Sequence, residues 1–187
     1  MKIDKENLAV VRQAFANAAF SHKVQEMASE RKEKRITTFK VLNICLIALV
    51  LLLFLLQATT DSSPVITYIG AGLTAAEIVL LISQLTFGIE QEVVAHKNSA
   101  LKYMSLRDRY KSTLADITRG VLVDGEFTRT RDNLLKEYQM ISDLSIQTSS
   151  DDYDNAMTKL KLIPDGQNVW SDKQIDSLLP KELRATK

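Results

Sequence analysis

Glu77 is the side chain in this sequence best placed to do chemistry. It is the only charged residue between Pro64 and Ile89, in the run VITYIGAGLTAAEIVLLISQLTFGI. A carboxylate in such surroundings can carry a proton, line a path for ions, or bond to a neighbouring helix. At mid-span it costs on the order of 3 kcal/mol on insertion scales, so a wet lumen or an interhelical bond must offset it. The quiet alternative keeps Glu77 protonated in a helix interface, bonded to Asn43, Thr74 or a backbone group. Asn43 and Gln84 are the other polar candidates for interhelical bonds. Gly70, Gly72, Ala75 and Ala76, with Ala71, make a small-residue face that lets helices approach closely, although the spacing is not that of a clean glycine zipper.

The remaining reactive types read as structural. His22 and His96 fall on predicted helices and are expected to pack or face solvent. Asp151, Asp152 and Asp154 lack the glycine and distal glutamate of a calcium loop, so they are expected to cap a helix. The single cysteine, Cys45, excludes a disulfide framework and a cysteine metal site. It is expected to face lipid or to pack. There is no phosphate-cradling glycine loop, no HExxH and no nucleophile elbow. No enzyme, cofactor or metal is expected.

The elements that must position Glu77 are two apolar spans. Between Lys40 and Glu90 only Asp61 and Glu77 are charged. The first span is about 39–57, with the core VLNICLIALVLLLFLL, and the second about 65–89. A helix needs about 20 apolar residues to cross about 30 Å of hydrocarbon. The first span reaches that length if Lys40 snorkels, and the second with some tilt. Leu49 to Leu56 is greasy all round and lacks a polar face, unlike the stripe of a soluble helix. A buried hairpin of a soluble protein is the alternative. Some forty polar residues precede the first span and no small-residue cleavage site follows it, so a signal peptide is not expected.

Charge sets the expected orientation. Arg31, Lys32, Lys34, Arg35 and Lys40 precede the first span; His96, Lys97, Lys102, Arg107 and Arg109 follow the second. The connection Ala58 to Ser63 has no basic residue. Both termini should therefore face the cytoplasm. Pro64 suits the first turn of the second span, where its missing N–H costs nothing. The overall net charge of +1 excludes a general polyanion binder.

The 187 residues contain six glycines and three prolines and no β-like alternation. An all-α membrane protein is expected: a transmembrane hairpin with a cytoplasmic N-terminal helix and a C-terminal helical bundle. Residues 1–38 are read as a cytoplasmic amphipathic helix, with Asp4 as a possible N-cap. Its stripe is Leu8, Val11, Phe15 and Ala19, continued by Phe20, Val24 and Met27. It runs nearly unbroken, or gently bent near Ile36 to Thr38, into the hairpin of 39–89. Residues 90–146 are read as a helical hairpin continuing straight from the second span. Val93, His96, Ala100, Tyr103, Arg107, Tyr110, Leu114, Ile117 and Val121 form a heptad-like seam. Of these, Val93, Ala100, Tyr103, Tyr110, Leu114 and Ile117 are expected to form a cytoplasmic seam between copies. Gly120 and Asp124-Gly125 supply the stop and turn. Phe127, Leu134, Leu135, Tyr138, Ile141 and Leu144 line the next helix. Residues 147–187 are a variable tail with short helices: Tyr153, Met157 and Leu160 on one, a turn at Pro164-Asp165-Gly166, then Trp170 and an amphipathic piece with Ile175, Leu178 and Leu179, stopped by Pro180.

The layout resembles the SLATT family, two-span effectors of bacterial conflict and antiphage systems. The shared elements are an N-terminal helix with the basic run RKEKR (Arg31 to Arg35), a short hairpin of spans, and a long following helix. That helix carries AHKNSALKYMSLRDRYKSTLADI, with Ala95, Ala100, Tyr103 and Tyr110 at family-like spacing. The resemblance covers the chain to about Leu144 and carries no catalytic motif. It implies an effector that forms a pore in, or disrupts, the bacterial inner membrane, as in abortive infection. It also implies a cytoplasmic partner: a nucleotidyltransferase, a nucleotide-binding sensor or a reverse transcriptase, or the nucleotide signal it supplies. The seam from Val93 to Val121 and the small-residue face from Gly70 to Ala76 indicate a homo-oligomer in a lipid bilayer, and any pore demands several copies, since two spans cannot enclose an aqueous path. No sequence-specific nucleic-acid binding is expected. A small proton-coupled transporter using Glu77, or a non-conducting membrane scaffold for a cytoplasmic partner, are the competing functions.

Overall fold

The computed structural model describes residues 5–59, 64–122, 124–162 and 169–185. The possible cap at Asp4, the charge at Asp61 and the turn at Pro164-Asp165-Gly166 lie outside these. Among the described residues every regular element is helical: α1 (Lys5–Thr59), α2 (Pro64–Phe87), α3 (Ile89–Arg119), α4 (Asp124–Leu144), α5 (Ser150–Leu160) and α6 (Asp172–Leu178), with a 3₁₀ turn at Lys181–Leu183. The chain divides into two compact units, residues 30–93 and residues 1–29 with 94–187.

α1 has no glycine or proline in its 55 residues, so nothing interrupts its hydrogen-bond ladder. It continues through Ile36 to Thr38. There the Thr37 and Thr38 hydroxyls donate to the Glu33 and Lys34 carbonyls at 3.0 and 2.9 Å, which leaves those polar groups satisfied inside the helix. Pro64 opens α2, as its position at a helix start requires.

The sequence predicts one straight helix from the second span onward. The structure breaks it at Gly88, whose φ of +53° favours a residue without Cβ. Beyond the break, the Gln91 N–H donates to the Gly88 carbonyl at 2.9 Å, and Glu90 and Glu92 lie in the first turn of α3, where the helix dipole favours anions. α3 ends at Gly120, φ +70°. The Gly120 N–H donates to the Ile117 carbonyl and the Val121 N–H to that of Asp116, at 3.0 and 3.1 Å, closing the last turn in a Schellman motif. Asp124 and Gly125, expected as part of the turn, are the first residues of α4.

In the larger unit the apolar stripes meet. Val11, Phe15 and Ala18 of α1 pack with Tyr103, Leu106, Tyr110 and Leu114 of α3, with Phe127, Leu134 and Ile141 of α4, and with Ile175 and Leu179 of the C-terminal segment. A second cluster joins Phe20, Val24 and Met27 to Ala156, Met157 and Leu162. Leu135 and Leu144, expected on the apolar side of α4, are exposed. Leu135 is one residue, about 100° of helix rotation, from buried Leu134, and Leu144 is the last residue of α4. The positions expected to seam copies together are used within one chain here: Ala100, Tyr103, Tyr110 and Leu114 are buried in this unit and Ile117 is half-buried, while Val93 is buried in the other. The periodicity marks an apolar helix face on which α1 and α4 of the same chain pack.

The C-terminal segment docks firmly. Ser149 and Asp152 form a capping box on α5, and Ser171 and Gln174 form one on α6. Asp152 is thereby committed to capping. The Gln13 side-chain amide clamps the Trp170 backbone, donating to its carbonyl at 2.6 Å and accepting from its N–H at 3.1 Å. The Trp170 indole N–H donates to Asn17 at 2.7 Å, and its ring lies 5.1 Å from that of Phe20. Arg12 and Asp176 form a buried ion pair at 2.7 Å, and the Ala185 N–H also donates to Asp176.

Candidate functional site: the apolar hairpin

The unit of residues 30–93 inverts ordinary burial. Along α1, Val41, Ile44, Leu51, Leu52, Phe54 and Leu55 are exposed; along α2, Val65, Tyr68, Ile69, Ile78, Val79 and Ile82 are exposed. Both helices are long and apolar enough to cross a membrane, and hardly any residue of either apolar window is buried. A core hairpin of a soluble protein would bury these side chains. Their exposure fits a solvent of hydrocarbon, in which a helix satisfies its own backbone groups.

Polar contacts tie α1 to α2 at one end of the hairpin and to the first turn of α3 at the other. Near the connection, the Gln57 amide donates to the Thr67 hydroxyl at 2.9 Å. At the opposite end, Lys40 pairs with Glu90 at 2.9 Å and Lys32 pairs with Glu92. The Lys40–Glu90 pair is exposed and is worth no more than about 1 kcal/mol in water. The charged pairs thus sit at the basic end that the sequence assigned to the membrane surface. The Gln57–Thr67 contact was not among the sequence candidates. Its available signal was that both residues flank the polar turn.

The expected site residues are not drawn into one cluster. Glu77 is half-buried and, among the described residues, makes no hydrogen bond or ion pair. It does not bond to Asn43 or to Thr74, whose hydroxyl donates to the Gly70 carbonyl of its own helix at 3.0 Å. The Asn43 side-chain oxygen is buried and has no hydrogen-bond partner among the described residues. Gln84 lines a separate cleft of about 220 Å³ with Lys40, Gly88 and Glu90. Within one chain, these three side chains therefore do not offset one another.

The small-residue face is also unused inside the hairpin. Gly70 is buried, beside a narrow cavity of about 110 Å³ that Leu53, Phe54 and Gln57 also line. Gly72, Ala75 and Ala76 are exposed. A Cβ built on Gly70 or Gly72 would meet nothing within 4 Å. No close backbone approach within the chain requires these glycines. Among the described residues no group of three or more His, Cys, Asp or Glu is arranged to hold a metal.

In a comparison with known families, the model described as the SMODS and SLOG-associating 2TM effector domain, family 4, matches residues 8–167. Neither the curated proteins nor the solved structures give a match.

Proposed function

The chain belongs to the SMODS and SLOG-associating 2TM effector family, membrane effectors of conflict systems, and from that premise we propose that its hairpin permeabilises the bacterial inner membrane in antiphage defence. Several copies assemble, because two spans cannot enclose an aqueous path. The observation that carries the reading is Glu77: a carboxylate on an apolar span, with no partner among the described residues of its own chain. In lipid that arrangement costs on the order of 3 kcal/mol, and a second copy or a wet lumen offsets it. The unused small face of Gly72, Ala75 and Ala76 supplies a surface for close helix contact between copies.

In this reading both termini lie in the cytoplasm, where the helical bundle receives a signal from a sensor protein encoded nearby. The protein works without catalysis. Depolarisation of the membrane then halts growth of the infected cell.

The test is dye-reported depolarisation in cells expressing the chain with its activating partner at matched protein levels. Glu77→Gln keeps shape and removes charge, so it should keep the assembly and change conductance or ion preference. Glu77→Leu should abolish conduction. Unchanged depolarisation for both substitutions removes Glu77 from the mechanism. No depolarisation by the unaltered chain, with its partner present, overturns the permeabilising function.

A further inference from the structure

The unit of residues 1–29 and 94–187 contains an open groove of about 610 Å³ whose walls come from α1, α3, α5, the end of α6 and Pro180 just after it. Its size is that of a small-molecule site. Four of its lining residues are cations: Lys23, Arg107, Lys111 and Lys159. One lining residue, Glu26, is an anion, bonded to Lys23 at 2.8 Å. Half-buried Leu160 and Leu178 add apolar surface. The chain as a whole carries a net charge of only +1, so this concentration of positive charge is local.

Two of the cations are held by one neighbouring carboxylate. Asp108 accepts from Nε and Nη2 of Arg107, at 3.1 and 2.9 Å, and from Lys111 at 3.1 Å. Partial burial pushes the Asp108 carboxyl upward, but the hydrogen bonds from Lys111 and Arg107 outweigh it and hold the group below its usual range. One carboxylate thus fixes two cationic heads while leaving Nη1 of Arg107 and two donors of Lys111 for another acceptor. His22 is fixed too: its Nδ1 lies 2.9 Å from the Ala100 carbonyl, which only accepts, so Nδ1 carries the proton and Nε2 remains the other ring nitrogen. Positioned guanidinium and ammonium groups beside an apolar wall suit phosphate oxygens attached to an organic body.

We propose that this groove binds a small molecule carrying two or more phosphates, with Arg107, Lys111 and Lys159 as the phosphate contacts and Leu160 and Leu178 against its apolar part. Occupancy would bridge α1 and α3 to the C-terminal segment, since Lys159, Leu178 and Pro180 supply one wall. Binding does not depend on permeation, so its failure and that of the membrane reading are separable.

The experiment is isothermal titration calorimetry of the full chain in dodecyl maltoside micelles with inorganic tripolyphosphate. A second arm repeats it in nanodiscs of phosphatidylcholine, with and without phosphatidylglycerol. Saturable binding in micelles is expected, weakened at least tenfold by Lys159→Glu and by Arg107→Glu. Lys173→Glu, an exposed lysine outside the groove lining, should change it less than twofold. Circular dichroism confirms that each variant stays folded. Absence of saturable binding overturns the proposal, as does an equal loss for Lys173→Glu, which would mean general charge attraction. Loss of tripolyphosphate binding only in phosphatidylglycerol discs assigns the phosphate chemistry to a lipid headgroup and overturns the small-molecule source.

Discussion

The hairpin of residues 30–93 and the bundle built from residues 1–29 and 94–187 use the same aliphatic side chains in opposite ways. In the bundle, Val11, Leu106, Leu134 and Ile175 are almost wholly buried. In the hairpin, Leu51, Leu55, Ile69 and Val79 are exposed. Polar groups differ as well. The bundle pairs buried Arg12 with buried Asp176 and clamps Trp170 with Gln13, whereas the hairpin leaves Glu77 and the Asn43 oxygen without a hydrogen-bond partner among the described residues. The bundle thus buries its aliphatic core against segments of its own chain. The hairpin leaves its aliphatic side chains for lipid, and in the proposed assembly a second copy or a lumen meets its polar groups. A fold of this kind divides its tasks by solvent.

The largest expected effect falls on the bundle's buried ion pair. Arg12→Leu leaves the Asp176 carboxylate buried without its cation and should cost about 3–5 kcal/mol. Urea unfolding of the full chain in micelles, followed by the fluorescence of the single tryptophan, Trp170, measures it. A loss below about 1 kcal/mol would show that Asp176 reaches water, and would weaken the claim that the C-terminal segment is integral to the bundle.

A pair of identical truncations sharpens the contrast. Leu106→Ala, in the bundle core, should cost about 2–5 kcal/mol. Leu51→Ala, on the hairpin surface, should change stability little, because lipid tails replace the lost contacts. Comparable losses for both, measured by thermal unfolding in nanodiscs, would mean that the hairpin buries its leucines against protein.

Ser149→Ala removes the cap of α5 and should cost about 1 kcal/mol. Ser149→Asp, which keeps an acceptor for the helix N–H groups, should recover most of it. Failure of that recovery would place the effect outside the cap.

The smallest effect at neutral pH concerns Tyr110. Its hydroxyl is buried without a hydrogen-bond partner among the described residues, and burial pushes its pKa up to about 12. The fold favours the neutral phenol, so this contribution is fully present below the ordinary value near 10 and is lost as pH rises toward 12. Tyr110→Phe should be neutral or slightly stabilising at pH 7 and should flatten part of the alkaline loss of stability. Tyr103, shifted up first of all by burial, leaves a residual slope. An unchanged alkaline profile would show that Tyr110 is hydrated.

What the sequence determined by itself is local in origin. Unbroken apolar runs specify spans, because a helix in lipid needs only length and apolarity. The breakers were legible wherever one residue type does the work: Pro64 opens α2, Gly120 closes α3, and Asp152 caps α5. The stripe of α1 was legible because period alone defines a face. Which surface covers a face is a separate matter. The apolar positions of α3 look the same in sequence whether they meet another chain or Phe15 and Phe127 of their own, and only the folded bundle decides between these. The Gly88 break is also local, but a lone glycine in a helical pattern does not announce it. Two further features were decided by tertiary structure alone. The Arg12–Asp176 pair joins residues 164 apart, and the basic groove gathers cations from α1, α3 and α5. Local periodicity and capping act over a few residues, whereas these contacts depend on distant segments being brought together.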